Sequence, residues 1–237
     1  MGSMHSEAKW PEHFTGLVNL FPLPNLVLFP HVVQPIHIFE PRYCEMLADS
    51  LARDGLIAMA LLEPGWEQSY LQRPAISSIV CMAKIINHSP TDDGQHNILL
   101  AGMKRARIIR ELNNGREFRQ AEVELLDDHY PSGLANARVE LYGELLDVFS
   151  QAVPEELKSL DSFLQITDQQ LPLGMLADII TFSLRLPLPI KQQVLAEANV
   201  DVRTRLLIRC LHQLVQTQGT GDRANAPAKF PPDFSVN

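Results

Sequence analysis

The chain has 237 residues, of which 46% are hydrophobic and 20% charged. That suits one large or two modest domains, long enough to bury roughly 70% of the unfolded surface, and it excludes wholesale disorder. A formal net charge of −8 argues against a surface built for nucleic-acid backbones, which need clustered Lys and Arg.

Three cysteines, Cys44, Cys81 and Cys210, lie far apart and fit neither a disulfide scaffold nor paired metal-ligand spacing. The expectation is a reducing cytoplasm, with no metal and no cofactor. No apolar run approaches the ~20 residues that cross a bilayer, so no membrane partner is expected. The start is too polar for a signal peptide, and Gly2-Ser3-Met4 reads as a cloning remnant.

In chain order, residues 1–16 read as a loose polar tail. From Leu20 to Tyr43 five prolines sit among apolar and β-branched residues, so this stretch cannot be one regular element. Pro22, Pro24, Pro30 and Pro35 belong at strand edges, strand starts or turns. Leu26 to Phe29 and Val32 to Phe39 read as short strands between them. The period then changes: Pro41 suits a first helical position, Tyr43, Met46, Leu47 and Leu51 follow at helical spacing, and Gly55 is a stop.

Leu56 to Glu63 is an apolar run closed by Pro64-Gly65 and reads as a buried strand. Ile76 to His88, Asn97 to Ala101, Arg105 to Glu111 and Phe118 to Leu126 are further strands. Asp93-Gly94 and Asn114-Gly115 supply the turns between them. Residues 17–128 thus read as a small barrel or folded sheet carrying one short helix.

Beyond Asp127-Asp-His-Tyr-Pro131 the period is 3.6. Leu134–Ala152, Leu171–Leu186, Pro189–Ala198 and Val202–Gln216 each carry an apolar face, and Glu155–Ile166 reads as one or two shorter helices. Asp201 is a candidate N-cap for the last helix. Residues 129–217 are expected to form an α-helical bundle and 218–237 a disordered tail, so the class is α+β.

Chemistry is sparse. No phosphate-binding glycine loop, G-x-S-x-G elbow or H-E-x-x-H pair is present. Cys44 lies near His37 in sequence but on an amphipathic helix, where a cysteine is usually a small buried hydrophobe. Cys81 reads as core, and His88, His96 and His129 as solvated turn residues. Lys104, Arg105, Arg107, Arg110, Arg116 and Arg119 form a basic cluster among Glu111, Glu117, Glu122 and Glu124, whose mixed charges favour a solvated face over a phosphate site. Phe29, Val32 and Val33 read as core before they read as the lip of a peptide groove.

The segments Phe21-Pro-Leu-Pro-Asn-Leu-Val-Leu-Phe-Pro30 and Ile36-His-Ile-Phe-Glu-Pro-Arg-Tyr43 resemble the opening of the Lon-protease amino-terminal, substrate-binding domain family, especially its stand-alone members. Asn97 to Ile108 is similar to the family's strand-Gly-x-x-Arg segment, with Gly102 and Arg105 at the matching positions. Leu176-Ala-Asp-Ile-Ile, Leu186 to Leu195 and Val202 to Leu206 resemble its helical tail. The likeness implies a PUA-like β pseudo-barrel over residues 17–128 followed by the helical bundle. It also implies a role in capturing unfolded or tagged proteins ahead of ATPase and protease modules that are absent from these residues.

On that resemblance the chain is expected to be a non-catalytic protein-binding module and not an enzyme. It would take unfolded or extended protein segments, by strand addition at a barrel edge or in the cleft between barrel and bundle, and work with a separate protease or chaperone. The residues singled out for binding are Phe29, His31, Val32, Arg42 and Arg105. Two alternatives remain: RNA binding through Lys104 to Arg119, and a cryptic hydrolase using Cys44 or a serine.

Overall fold

The computed structural model describes residues 10–11, 14–70, 72–154, 170–219 and 235–236. They divide into two compact units, one running to Leu126 and including Ser235 and Val236, the other beginning at Asp127. The class is α+β, a mixed sheet with helices.

In the first unit the elements are β1 (Leu17–Leu23), β2 (Val33–Ile38), α1 (Pro41–Leu51), β3 (Leu56–Leu61), β4 (Ile79–Pro90), β5 (His96–Leu112), β6 (Arg119–Leu126) and β7 (Ser235–Val236). The strand order is β4-β3-β1-β6-β5-β2-β7, and β4 pairs with β5 as well. The strands β4, β3, β1, β6 and β5 therefore close into a ring, and β2 with β7 forms a leaf attached to β5 outside it. Side chains of period two divide between the two faces of that ring. Val18, Leu20, Leu56, Ala58, Ala60, Val80, Met82, Ala106, Ala121 and Val123 form one core cluster, rich in alanine as a narrow barrel interior requires.

The opposite parity of β1 meets α1. Phe21 lies 4.6 Å from the Tyr43 ring, and the Tyr43 hydroxyl donates to the Pro22 carbonyl at 3.2 Å. Pro22 sits within β1, but the pairing with β6 ends at Leu20, so its missing N–H leaves no gap in that ladder. Pro41 opens α1 and Gly55, at φ 66°, donates its N–H to the Ser50 carbonyl beyond the helix end. The buried stripe of α1 is Tyr43, Met46, Leu47 and Ser50. Leu51 is 41% exposed instead of continuing it, because Asn19 reaches across to Ser50 Oγ at 2.8 Å and makes that position polar.

Several expectations change here. Leu26 to Phe29 is not a strand but an irregular loop with Val27, Leu28 and Phe29 buried, since prolines on both sides leave it without a ladder. Asn97 to Ala101 and Arg105 to Glu111 are not two strands but parts of the 17-residue β5. Bulges explain the reach of β5: Met103 and Ile86 are extra residues in the β4–β5 ladder, and Ile109 is extra in the β5–β6 ladder. Bent in this way, β5 pairs with β2 through residues 96–101 and with β6 through residues 105–112. Trp10 and Phe14, expected in the tail, pack on the barrel cluster with ring centroids 5.1 Å apart. Ser235 and Val236, also expected in a tail, pair in parallel with Ile36 and His37 of β2, whose outer edge gives them a ladder.

The second unit holds, among the described residues, α2 (Ala135–Ala152), α3 (Leu173–Ser183), α4 (Leu188–Ala196) and α5 (Val200–Gly219). Leu145, Phe149, Leu176, Ile180, Leu207 and Leu211 lie at the centre of its core. The expected helix at 155–166 lies outside the described residues. Asn199, not Asp201, caps α5: its Oδ1 accepts from the N–H groups of Asp201 at 3.0 Å and Val202 at 3.3 Å. The helix starts two residues earlier than expected, which places Asp201 in the first turn, where Arg138 Nε donates to it at 2.7 Å.

Arg203 is fully buried in this unit, 2.6 Å from Asp128 and 3.4 Å from the equally buried Asp178. Gly174 lets the backbone pass beside these charges, since a Cβ there would lie 2.4 Å from Asp128 Oδ2 and 2.7 Å from an Arg203 nitrogen. Among the described residues no helix is long and apolar enough to cross a membrane.

Candidate functional site

The nucleophile candidates lie where their chemistry is suppressed. Cys81 is completely buried on β4, and burial pushes the Cys44 thiol on α1 up, away from the thiolate that a cysteine hydrolase needs. No cluster of three or more metal-ligating side chains occurs among the described residues.

The basic cluster is largely neutralised within its own strands. Cross-strand register sets Arg107 opposite Glu124 and Arg110 opposite Glu122, giving ion pairs of 3.2 and 2.5 Å. Arg119 reaches Glu111 at 2.5 Å and donates to the Pro74 carbonyl at 2.7 Å. Arg116 pairs with Asp49 at 2.9 Å and lies over the Phe118 ring. Arg105 is buried on β5. Such a face carries little net field for a phosphate backbone.

Of the residues singled out from sequence, Phe29, His31 and Val32 come together on the loop before β2, held by Gly102 of β5. The His31 N–H donates to the Gly102 carbonyl at 2.9 Å and the Gly102 N–H donates to the Val32 carbonyl at 2.8 Å. A Cβ on Gly102 would stand 2.0 Å from the Phe29 carbonyl oxygen, so only glycine admits this approach. Phe29 and Val32 are buried beneath the seam, while His31 is exposed at φ 66°.

Arg42 is placed elsewhere, at the start of α1. Its guanidinium lies 4.6 Å from the centroids of both the Tyr43 and Tyr70 rings, pairs with Glu40 at 2.8 Å, and donates to the Tyr70 carbonyl at 3.2 Å. Tyr70 in turn donates to Glu40 at 2.5 Å. These contacts pin the loop that contains Trp66–Ser69 to α1, so Arg42 serves as a staple. Phe29, Val32 and Arg105 are thus buried, Arg42 is partly buried in its contacts with Glu40 and Tyr70, and His31 is the exposed one of the five.

The surface that does face solvent is the outward side of the leaf. Register places Val33 beside Ala101 and Lys84, Pro35 beside Leu99 and Asn87, and His37 beside Asn97 and Ser89. Val33 is 46% exposed and Phe39 37%. His37 fixes the far end: its Nδ1 is 2.9 Å from Asn97 Oδ1, its Nε2 is 2.5 Å from Gln95 Oε1, and its ring stacks on Phe39 at 6.1 Å. The result is an apolar strip of Val33, Pro35, Leu99 and Phe39 on a stiff two-sided ladder. Sequence reasoning weighed Val33 as core and passed over Phe39, Pro35 and Leu99. The signal was there in the parity of Val33, Pro35 and His37 along β2, which Phe39 continues just past its end.

Comparison with known proteins agrees with this architecture. Residues 18–213 match the family described as the ATP-dependent protease La (LON) substrate-binding domain. The Lon protease of Desulfosudis oleivorans is 24% identical over 216 residues, which are 90% of this chain and 26% of that protein. The chain therefore spans about a quarter of the length of the curated relatives it matches. The N-terminal domain of the Mycobacterium avium complex Lon protease superposes with a TM-score of 0.62 at 19% identity, covering 83% of this chain and 98% of that one. A Lon N-terminal domain protein from Xanthomonas campestris gives 0.57 at 19%, covering 81% and 97%.

Proposed function

The chain belongs to the LON substrate-binding domain family, and we propose that its 237 residues act as a non-catalytic module that binds unfolded or extended protein segments. The observation that carries this reading is the solvent-facing strip Val33, Pro35, Leu99 and Phe39. It offers apolar area on a scaffold that need not reorganise to use it. The chemistry agrees, because the buried Cys81 and the raised Cys44 thiol supply no activated nucleophile. A protease or chaperone carried on a separate chain is a fitting recipient of the captured segment. The paired arginines of β5 and β6 speak against RNA as the ligand.

The test is binding of a permanently unfolded protein, reduced and carboxymethylated lactalbumin, followed by calorimetry. Binding at about tens of micromolar is expected, with a loss of about tenfold in the Val33→Asp/Phe39→Asp variant, equivalent to about 1.4 kcal/mol. Both positions are exposed, so the variant retains the fold. No heat with the unmodified chain at those concentrations overturns the proposal.

A further inference from the structure

The leaf has a second property that its apolar face does not explain. β2 is an edge strand by its own chemistry: Pro35 stands in the middle of it, paired with Leu99 of β5, and proline is accommodated mid-strand only when its missing N–H faces away from the ladder. The Gly102 N–H bond to the Val32 carbonyl sets the alternation. Even-numbered residues of β2 then turn their backbone groups to β5, while Val33, Pro35 and His37 turn theirs outward.

That outer edge is occupied. Ser235 and Val236 lie against it in parallel, in register with Ile36 and His37, so the outward N–H and C=O of His37 bracket Val236. Among the described residues two residue pairs join β7 to this edge, and the outward groups of Val33 lie beyond those two pairs. So short a pairing is weak on its own.

We infer that the outer edge of β2 is a strand-acceptor site for an extended polypeptide, held by the chain's own Ser235–Val236 until a partner's segment replaces them. The backbone ladder supplies recognition that does not depend on sequence. The adjoining strip of Val33, Pro35 and Phe39 favours apolar residues at alternate positions of the incoming segment. The inference rests on the protein-binding reading and deepens it, naming the edge, the direction of pairing and an internal competitor that raises the threshold for capture.

The experiment uses a fluorescein-labelled peptide of residues 231–237, Pro-Pro-Asp-Phe-Ser-Val-Asn, and fluorescence anisotropy. It is titrated with the full chain and with its Ser235→Pro/Val236→Pro variant, in which the tethered strand cannot pair. The peptide should bind the variant at least about tenfold tighter, because the tethered copy no longer competes at a high effective concentration. The same peptide N-methylated at its Ser, Val and Asn amides should lose that binding, a readout that involves no change in the protein. Equal affinity for both chains, undiminished binding of the N-methylated peptide, or no binding to the variant overturns the inference.

Unfolded lactalbumin, measured in parallel, separates the two proposals. If it binds both chains alike while the peptide binds neither, the module reading stands and the strand-acceptor site falls. If the peptide discriminates and lactalbumin does not bind, the edge stands and the broader reading falls.

Discussion

The outer face of the barrel and the interior of the helical unit treat cations differently. On β5 and β6, Arg107 and Arg110 meet carboxylates at the surface, where water screens the pair and each contributes little to stability. In the helical unit Arg203 is wholly buried against Asp178 and Asp128, and Lys191 on α4 directs its Nζ to the Phe182 carbonyl at 3.0 Å. The cross-strand pairs of Arg107 and Arg110 stay in water, whereas the Arg203–Asp178 pair is wholly removed from it. The same residue type therefore carries different weight in the two units.

The sharpest way to break this contrast is Arg203→Ala. It leaves Asp178 buried without its cation, and a loss of about 3–5 kcal/mol in chemical denaturation is expected, seen first in the helical signal by circular dichroism. A loss near zero would mean that the buried Asp178 is protonated or satisfied by other groups once Arg203 is gone.

In the barrel the corresponding weak point is Gly102, which bears no charge. Gly102→Ala puts a Cβ 2.0 Å from the Phe29 carbonyl, and about 1–3 kcal/mol should be lost as the seam between the loop and β5 opens. Amide exchange at Gly102 and His31 reports that opening directly; unchanged protection at both would show that the seam tolerates the extra carbon.

A third effect separates the units by pH. Burial lowers the Lys191 pKa from 10.5 to about 8. Between those values the unfolded chain binds more protons than the folded one, so stability contributed by this group rises with pH from about 8 toward 10. The Lys191→Met variant should lack that rise, and the difference between variant and parent melting temperatures should shrink across the window. Parallel pH profiles would place the Lys191 amine in water.

Much of the barrel was legible in the residues. Pro41 and Gly55 bracket α1 as expected, and Asp93-Gly94 and Asn114-Gly115 turn the chain between β4, β5 and β6 with both glycines at positive φ. The four helical stretches lay within a few residues of their observed bounds, since the 3.6 period is strong there. Leu26 to Phe29 was not legible, because a short apolar run reads alike as a buried strand and a buried loop. Nor was β5 as one strand, for bulges at Met103 and Ile109 interrupt the period that would have joined its halves.

The candidate site fared unevenly for a related reason. Phe29 and Val32 lie in the loop before β2 and are buried; a proline-flanked apolar segment does not declare which side chains turn inward. Arg105 was chosen for its charge, and it is only 2% exposed. Val33 and Phe39 share a parity that a strict strand reading assigns to one face, but their exposure depends on where the leaf joins β5, which is a property of the closed ring.

Because the ring closes through β4 and β5 without β2, the leaf is topologically dispensable to the barrel. Its inward side chains Gln34, Ile36 and Ile38 are nonetheless buried, so β2 is fixed by packing and by its ladder with β5 rather than by ring closure. Ring closure and the inward packing of the leaf are thus two separate sources of order within one unit.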